Sequence, residues 1–277
     1  MATETPVSFD SDGARLFGVF HTFEGVKQRR GVIFLGGWAG YRIGPHRMFL
    51  ECARAVSEAG LDVLRFDYRG RGDSEGDGAT ASIETMVSDA RAAIRFLQAR
   101  DVAEVALIGM CSGAKVAMGT AADEPSVRGL VLWSADLPAS MTGRSEAARK
   151  RWFALRTYLR KLLRPATWRK ILSRQVNTGM VAKAVSGGTG PSAAEARRDA
   201  DMLRRFRAYR GRMLFVYGGN DPQAVPGREK YSAYCRECGI PSEFRLIADA
   251  NHNFYSLSWK RELVEITRQW LAGGGQV

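Results

Sequence analysis

A cysteine between two glycines is the residue best placed for covalent chemistry. An apolar run and an amphipathic run flank Gly109-Met110-Cys111-Ser112-Gly113, which predicts a sharp strand-to-helix turn. The glycines suit such a turn because neighbouring backbone comes too close for side chains. Cys111 at its tip would present sulfur at a helix N-terminus, whose dipole favours the thiolate. The alternatives are a buried core cysteine on a tight turn, or Ser112 as the nucleophile.

A base and an acid follow in the order that a nucleophile–acid–base triad requires. The chain has three histidines, His21, His46 and His252, and His252 alone lies in the loop after the last predicted strand. We predict that it is the general base. Asp221 follows the preceding strand and is predicted to orient the imidazole. It could instead only form a turn before proline, and Asp249 is the alternative partner for the histidine.

Two backbone amides are predicted to form an oxyanion hole. One belongs to Ser112, whose side chain we expect to point away from the elbow tip and into the start of the helix. The other belongs to Trp38, in the glycine-rich loop after the third strand. Gly37 and Met110, which neighbour these groups, are predicted to contact substrate. The loop lacks the spacing of phosphate-binding motifs, and neither a cofactor nor a metal is expected.

Short apolar runs alternate with amphipathic stretches, which predicts an α/β fold with helices on both faces of a mostly parallel sheet. Eight strands are predicted, at residues 7–9, 16–22, 31–35, 61–66, 105–108, 130–133, 213–217 and 242–247. Helices are predicted at residues 46–58, 83–98, 114–122, 227–238 and 256–271. Residues 1–135 and 210–277 would form the core. The alternation stops between them, so residues 136–209 are predicted to form a helical lid inserted after the sixth strand.

Positive charge is concentrated in this predicted lid. The chain has a net charge of +12, and residues 136–206 hold 16 Lys and Arg against 5 Asp and Glu. Basic and apolar residues alternate at helical spacing around residues 155–164, and Trp152 and Tyr158 are predicted to contact substrate. Such a helix would suit an acidic carrier protein, an anionic membrane surface or an anionic polysaccharide. The alternative is a solvated surface. Nucleic acid is not expected, because no nucleic-acid-binding motif accompanies the charge.

Two further motifs are interpreted as structural. Asp67-Tyr68-Arg69-Gly70-Arg71-Gly72-Asp73-Ser74 follows the fourth strand and predicts a turn whose polar side chains satisfy loop backbone. Cys235 and Cys238 are spaced as C-x-x-C without a second pair or a nearby histidine, so we interpret them as thiols on one face of a helix. With no apolar run long enough to span a bilayer and no apolar stretch near Met1, a cytoplasmic protein is expected.

Taken together, these motifs resemble the α/β-hydrolase superfamily, in the lid-bearing branch of serine-aminopeptidase-like and monoglyceride-lipase-like hydrolases. The segments GWAGYRIGPHRMF, VLRFDYRGRGDSEG and WRKILS are similar to those of exosortase-associated hydrolases of bacterial exopolysaccharide loci. The resemblance implies a cysteine at the elbow, as in dienelactone hydrolases. Fold alone does not imply the substrate.

The expected reaction is hydrolysis of an ester or thioester through an acyl-cysteine at Cys111, with a small-molecule acyl substrate. An acyltransferase or a cyclising thioesterase would use the same site with another acceptor. A non-catalytic protein that binds a ligand or partner through its lid is the alternative from a different class.

Overall fold

The computed structural model describes residues 2–23, 29–38, 40–142 and 192–273. Its strands are β1 (Ala2–Ser11), β2 (Ala14–Phe23), β3 (Arg30–Leu35), β4 (Asp62–Phe66), β5 (Glu104–Met110), β6 (Val127–Trp133), β7 (Arg212–Gly218) and β8 (Ser242–Ile247). Its α-helices are α1 (Met48–Glu58), α2 (Ile83–Gln98), α3 (Gly113–Ala121), α4 (Ala193–Phe206), α5 (Ala224–Cys238) and α6 (Leu257–Ala272).

The strands form one eight-stranded sheet in the order β1-β2-β4-β3-β5-β6-β7-β8. The first two strands form an antiparallel hairpin, and β2 pairs antiparallel with β4. All pairings from β4 through β3 to β8 are parallel. The prediction of a mostly parallel eight-stranded sheet is therefore confirmed. Because β5 to β8 are consecutive neighbours, the loops at their carboxyl ends meet along one edge, where α/β proteins bind ligands.

Alternating side chains of the central strands build a core on each face of the sheet. Val32 and Phe34 of β3 belong to a buried cluster that includes residues of α1 and α6. The intervening positions face α2, because a Cβ on Gly31 would lie 2.8 Å from a methyl carbon of Leu97. Both faces of β3 are thus covered, which explains why its residues from Gly31 to Leu35 are apolar and buried.

Element boundaries differ from the predictions where backbone geometry is not encoded in hydrophobic spacing. The first helix begins at Met48 and not near His46, because His46 and Arg47 have φ angles of 50° and 63°. The hairpin strands are longer than predicted, since pairing continues from Ser11↔Ala14 to Ala2↔Phe23. The bounds of α2 agree with the prediction, and a reciprocal capping box of Ser82 and Thr85 fixes its start.

The turn after β4 is structural, as predicted. The Asp67 carboxylate accepts a hydrogen bond from the Arg42 backbone amide at 2.7 Å and forms an ion pair with the same residue's guanidinium. Ser74 Oγ donates to the Asp67 carbonyl at 2.7 Å and accepts from the Phe17 amide at 2.8 Å. These bonds connect the turn to β2 and to the loop after β3, which carries Trp38.

Residue contacts divide the chain into two compact units, residues 1–137 with 202–277 and residues 138–201. In the second unit the structure describes residues 138–142 and 192–201, where the Ala139 amide donates to the Asp199 carboxylate at 2.5 Å. Most of the predicted lid, including Trp152, Tyr158 and the basic helix, lies outside the described residues, so the lid stays a prediction. None of the described helices is long and apolar enough to cross a membrane.

Candidate active site

Cys111 lies at the tip of a sharp turn between β5 and α3. Its φ angle is 56°, in the left-handed region that non-glycine residues rarely adopt. A Cβ on Gly109 would lie 2.6 Å from the Gly113 carbonyl oxygen, and a Cβ on Gly113 would overlap the Leu35 carbonyl. Both glycines are therefore required by close backbone approach. The partly exposed thiol is presented at the N-terminus of α3, as the motif predicted.

His252 and Asp221 form a hydrogen-bonded pair on the neighbouring loops. The Nδ1 atom of His252 lies 3.0 Å from Oδ2 of Asp221, whose side chain is fully buried. The two loops are also joined by their backbones, because the Asn220 amide donates to the Ala250 carbonyl at 2.8 Å. The Asn220 side chain donates to the carbonyl of Asp249 at 2.9 Å. Among the described residues, Asp221 is the carboxylate that His252 contacts, in preference to Asp249.

Asp221 and His252 each shift the pKa of the other residue towards its charged form. Burial by itself lowers the pKa of His252, but its hydrogen bond with Asp221 and the adjacent Cys111 sulfur raise the pKa to about 10. Burial by itself raises the pKa of Asp221, yet the bond with His252 and the Gln223 amide at 3.0 Å lower it overall. The arrangement therefore stabilises an imidazolium beside a carboxylate. An imidazolium can donate a proton to a leaving group.

Ser112 and Trp38, whose amides are the two predicted oxyanion donors, are in contact, but the Trp38 amide already donates a hydrogen bond. The Trp38 amide donates to Ser112 Oγ at 2.8 Å. Ser112 thus points towards the loop after β3, and the prediction that its side chain points into the start of the helix is wrong. The physical reason is that the Trp38 amide has an acceptor in the hydroxyl. The Ser112 amide makes no hydrogen bond within the described ranges and is available to an incoming oxygen.

The other predicted site residues differ in whether they lie close to the nucleophile. A Cβ on Gly37 would lie 3.5 Å from Cys111 Cβ, so this glycine borders the nucleophile. Met110 is only 3% exposed and packs in the core, which argues against its predicted contact with substrate. Cys235 is buried and Cys238 partly exposed, both on α5, in keeping with their interpretation as helix-face thiols. In the described part of the chain, no three His, Cys, Asp or Glu side chains converge as metal ligands.

Asp136 is a site residue that sequence reasoning missed. Its Oδ2 atom lies 3.1 Å from the Cys111 sulfur, which donates to it as a thiol. In the predicted organisation, Asp136 is the first residue of the lid. The available signal was topological: β6 pairs with β5, so residues following β6 must lie beside those following β5. Cys111 therefore has a carboxylate near its sulfur in addition to the histidine.

Comparisons with known proteins concern the family and the fold of the chain. The profile of the alpha/beta hydrolase family matches residues 32–266. Two uncharacterised proteins of Mycobacterium tuberculosis, from different strains, are each 35% identical over 151 residues, covering 53% of this chain and 50% of their own length. The chain therefore spans about half the length of these curated relatives.

Solved structures with the same fold include an esterase of Pyrococcus furiosus, at 18% identity and a TM-score of 0.66, covering 97% of this chain and 90% of that one. A dienelactone hydrolase of Anabaena variabilis is 14% identical with a TM-score of 0.63, covering 98% and 97%. Est1E of Butyrivibrio proteoclasticus, solved with ferulic acid bound, is 15% identical with a TM-score of 0.66, covering 97% and 98%. At these identities the likeness concerns the fold, whereas the profile covers most of the sequence. The chain belongs to the alpha/beta hydrolase family.

Proposed function

We propose that this protein hydrolyses an ester or thioester with Cys111 as the nucleophile, His252 as the acid and base, and Asp221 as the group that orients the histidine. The observation that carries the proposal is the elbow geometry, which presents the Cys111 sulfur beside partly exposed His252 and its buried partner Asp221. A buried, hydrogen-bonded carboxylate that raises the pKa of a partly exposed histidine is typical of a catalytic pair.

The mechanism has two steps that share one oxyanion site. In the first step His252 takes the thiol proton of Cys111 as the sulfur attacks the acyl carbonyl, and His252 gives this proton to the leaving group as its bond to the acyl carbon breaks. The Ser112 amide would stabilise the oxyanion, with the Trp38 amide as the second donor once Ser112 Oγ is displaced. In the second step neutral His252 takes a proton from water as the water oxygen attacks the acyl-cysteine, and His252 returns this proton to the sulfur as the bond from sulfur to the acyl carbon breaks.

The substrate class rests on the chemistry of the thiol and on the fold relatives. A thioester intermediate suits carboxylic esters and thioesters, and the structural relatives named above include an esterase and a dienelactone hydrolase. The same acyl-cysteine can pass its acyl group to an acceptor other than water. Acyl transfer is therefore distinguished from hydrolysis by the lifetime of this intermediate and by the products.

The test is intact-protein mass spectrometry after short exposure to p-nitrophenyl esters and acyl thioesters. Wild type and Ser112→Ala are expected to gain one acyl group, whereas Cys111→Ala gains none. Loss of the adduct only in Ser112→Ala would move the nucleophile to the serine. No adduct and no turnover with any donor would favour a binding protein with the hydrolase fold over the enzyme proposed here.

A further inference from the structure

Arg71 lies behind the loop that carries the Trp38 amide. It belongs to the turn after β4, and its Nη1 atom donates to the Gly37 carbonyl at 3.1 Å. Its Cζ atom lies 5.5 Å from the centre of the Trp38 ring and 5.6 Å from the centre of the Tyr68 ring, within the range of cation–π interactions. The guanidinium therefore interacts with both the backbone and a side chain of the loop after β3.

The Gly37 carbonyl belongs to the same peptide group as the Trp38 amide. This peptide is trans and planar, so its C=O and its N–H point in opposite directions. The N–H donates to Ser112 Oγ at 2.8 Å, on the side of the elbow. The C=O faces away from the elbow and accepts from Arg71. A group that holds the carbonyl therefore also sets the direction of the N–H.

The loop has little stiffness of its own at this peptide. Gly36 and Gly37 precede the Trp38 amide, and glycine permits backbone rotations that other residues exclude. Two hydrogen bonds hold the carbonyl of the second glycine. The Gly40 amide donates to it at 2.9 Å, and Arg71 is the other donor. The orientation of the peptide therefore depends on these two bonds.

The glycines on either side of Arg71 set the position of its backbone. Gly70 and Gly72 have φ angles of 69° and 52°, in the left-handed region. A Cβ on Gly70 would overlap the amide nitrogen of Gly78. A Cβ on Gly72 would overlap the carboxylate of Asp67. The turn is thus built without side chains at these two positions, and it fixes the point from which the Arg71 side chain extends.

Arg71 differs from the other arginine of this turn in its charge partners. Arg69 forms an ion pair with Asp89 at 2.7 Å. Arg71 forms no ion pair with any residue in the described part of the chain, and its charged donor is directed at the Gly37 carbonyl. A cationic donor makes a stronger hydrogen bond than a neutral one, and it polarises the peptide that accepts the bond. The N–H of Trp38, in the same peptide, becomes a better donor as a result.

We propose that Arg71 is a positioning residue, which directs the Trp38 N–H towards the oxyanion that forms when Cys111 is acylated. The guanidinium holds the Gly37 carbonyl from behind, so the N–H keeps its direction when the Ser112 hydroxyl is displaced. The oxyanion then accepts the bond that the hydroxyl oxygen accepted. Donors fixed in advance stabilise such an intermediate without reorganisation during the reaction. The proposal rests on the proposed function and adds to it one side chain of the turn after β4.

Two reactions of Cys111 separate the oxyanion from the reactivity of the thiol. Acylation by a p-nitrophenyl ester forms an oxyanion at the acyl carbonyl. Exchange with 2,2′-dipyridyl disulfide uses the same thiol but forms no oxyanion, because the sulfur attacks a sulfur atom and releases 2-thiopyridone. Every protein in the experiment carries Cys238→Ser, since Cys238 is the other partly exposed cysteine and would also react. Both rates are measured by stopped flow in the full chain.

Arg71→Met keeps an unbranched apolar stem beside Trp38 but removes the charge and the donors. Acylation is expected to slow on the order of tenfold, less than the roughly 10²–10³-fold loss of a whole oxyanion donor, because Gly40 still holds the carbonyl. Disulfide exchange should stay within about twofold of the parent protein, since it depends on the thiol alone. Arg71→Lys keeps a cationic donor without the planar fork, and its acylation should be at least about threefold faster than that of Arg71→Met.

Arg100→Met is the matched control. The Arg100 guanidinium also donates to a backbone carbonyl, that of Phe96 at 2.9 Å, and its Cζ atom lies 3.6 Å from the centre of the Phe96 ring. Arg100 precedes the amino end of β5, whereas Cys111 follows the carboxyl end of that strand. Both rates of Arg100→Met should therefore stay within about twofold of the parent protein. Thermal melting checks that each variant is folded, and Arg71→Gln replaces Arg71→Met if the latter does not fold.

The two rates also define the outcomes that would overturn the proposal. Equal falls in acylation and disulfide exchange for Arg71→Met would mean that Arg71 supports the site as a whole and not the oxyanion donor. Unchanged acylation in Arg71→Met, or equal acylation in the Met and Lys variants, would overturn it as well. If the parent protein exchanges with the disulfide at Cys111 but forms no acyl adduct, the proposed function fails, and the role of Arg71 fails with it.

Discussion

The His252 ring bonds through Nδ1 to a carboxylate that water does not reach, since the Asp221 side chain is fully buried while His252 is 32% exposed. Because Asp221 is buried, water does not compete for this hydrogen bond. Exposure on the His252 side leaves the ring able to exchange protons. The pair therefore combines a fixed orientation with access to substrate, which is what a catalytic histidine requires.

Removing the buried carboxylate is expected to reduce activity strongly. Asp221→Asn keeps the shape of the side chain but loses the charge that orients His252 and stabilises its protonated form. We expect kcat for an ester substrate to fall on the order of 10²-fold or more. Asp249→Asn removes the neighbouring exposed carboxylate and should leave kcat within about twofold of wild type. A large loss in Asp249→Asn with little loss in Asp221→Asn would show that Asp249, and not Asp221, is the acid.

The same pair predicts how stability depends on pH. The pKa of His252 is raised to about 10 in the folded protein, so its contribution is fully present below its unfolded value near 6.5 and is lost as pH rises through about 10. The pKa of Asp221 is lowered, so its contribution is present above its unfolded value and lost in acid. The difference in unfolding free energy between wild type and Asp221→Asn should therefore be largest near pH 6 and shrink towards pH 10. Urea denaturation at both pH values measures it, and a constant difference would contradict the assignment.

Much of the fold was predictable because it follows from hydrophobic spacing. The strand Arg30–Leu35 is a continuous apolar and buried run from Gly31 onwards, and Ile83–Gln98 repeats apolar residues at helical spacing. The turn at His46 and Arg47 was not predictable, because left-handed backbone at these residues has no hydrophobic signature. The full length of the first hairpin was also not predictable, because it depends on how the two strands pair, and the pattern of one strand does not contain that information.

The candidate site was predictable to the extent that local motif and chain order define it. Cys111 was identified by its flanking glycines, and His252 and Asp221 by the loops they occupy. The contact of Asp136 with the sulfur and the orientation of Ser112 depend on neighbouring strands and on the loop carrying Trp38. Such contacts join residues far apart in sequence, and no spacing rule within one segment encodes them.

The elbow glycines are expected to be required for folding as well as for chemistry. Gly113→Ala places a Cβ against the Leu35 carbonyl, and Gly109→Ala places one 2.6 Å from the Gly113 carbonyl. Backbone atoms cannot move aside as a flexible side chain could, so each variant should lose about 1–3 kcal/mol of unfolding free energy. Gly273→Ala is the control, because its φ is −71° and the nearest atom to its Cβ would be 3.4 Å away. Its stability should stay within about 0.5 kcal/mol of wild type. Equal stability of all three variants in chemical denaturation would contradict the close approach at the elbow.

Replacing Ser112 with alanine is expected to leave the acylation rate unchanged or to raise it, whereas replacing a nucleophile abolishes acylation. In the resting site its Oγ accepts from the Trp38 amide, and this bond must be replaced before the amide can stabilise an oxyanion. Ser112→Ala removes the competing acceptor but keeps the Ser112 backbone amide. A neutral hydrogen bond contributes about 1 kcal/mol net, so acylation of Cys111 should be unchanged or faster by up to about tenfold. The measurement is the pre-steady-state burst with a p-nitrophenyl ester, and Cys111→Ala provides the baseline without acylation. A fall of about tenfold or more in folded Ser112→Ala would mean that the hydroxyl organises the Trp38 loop for catalysis, because a loss of about 1.4 kcal/mol of transition-state stabilisation gives that change.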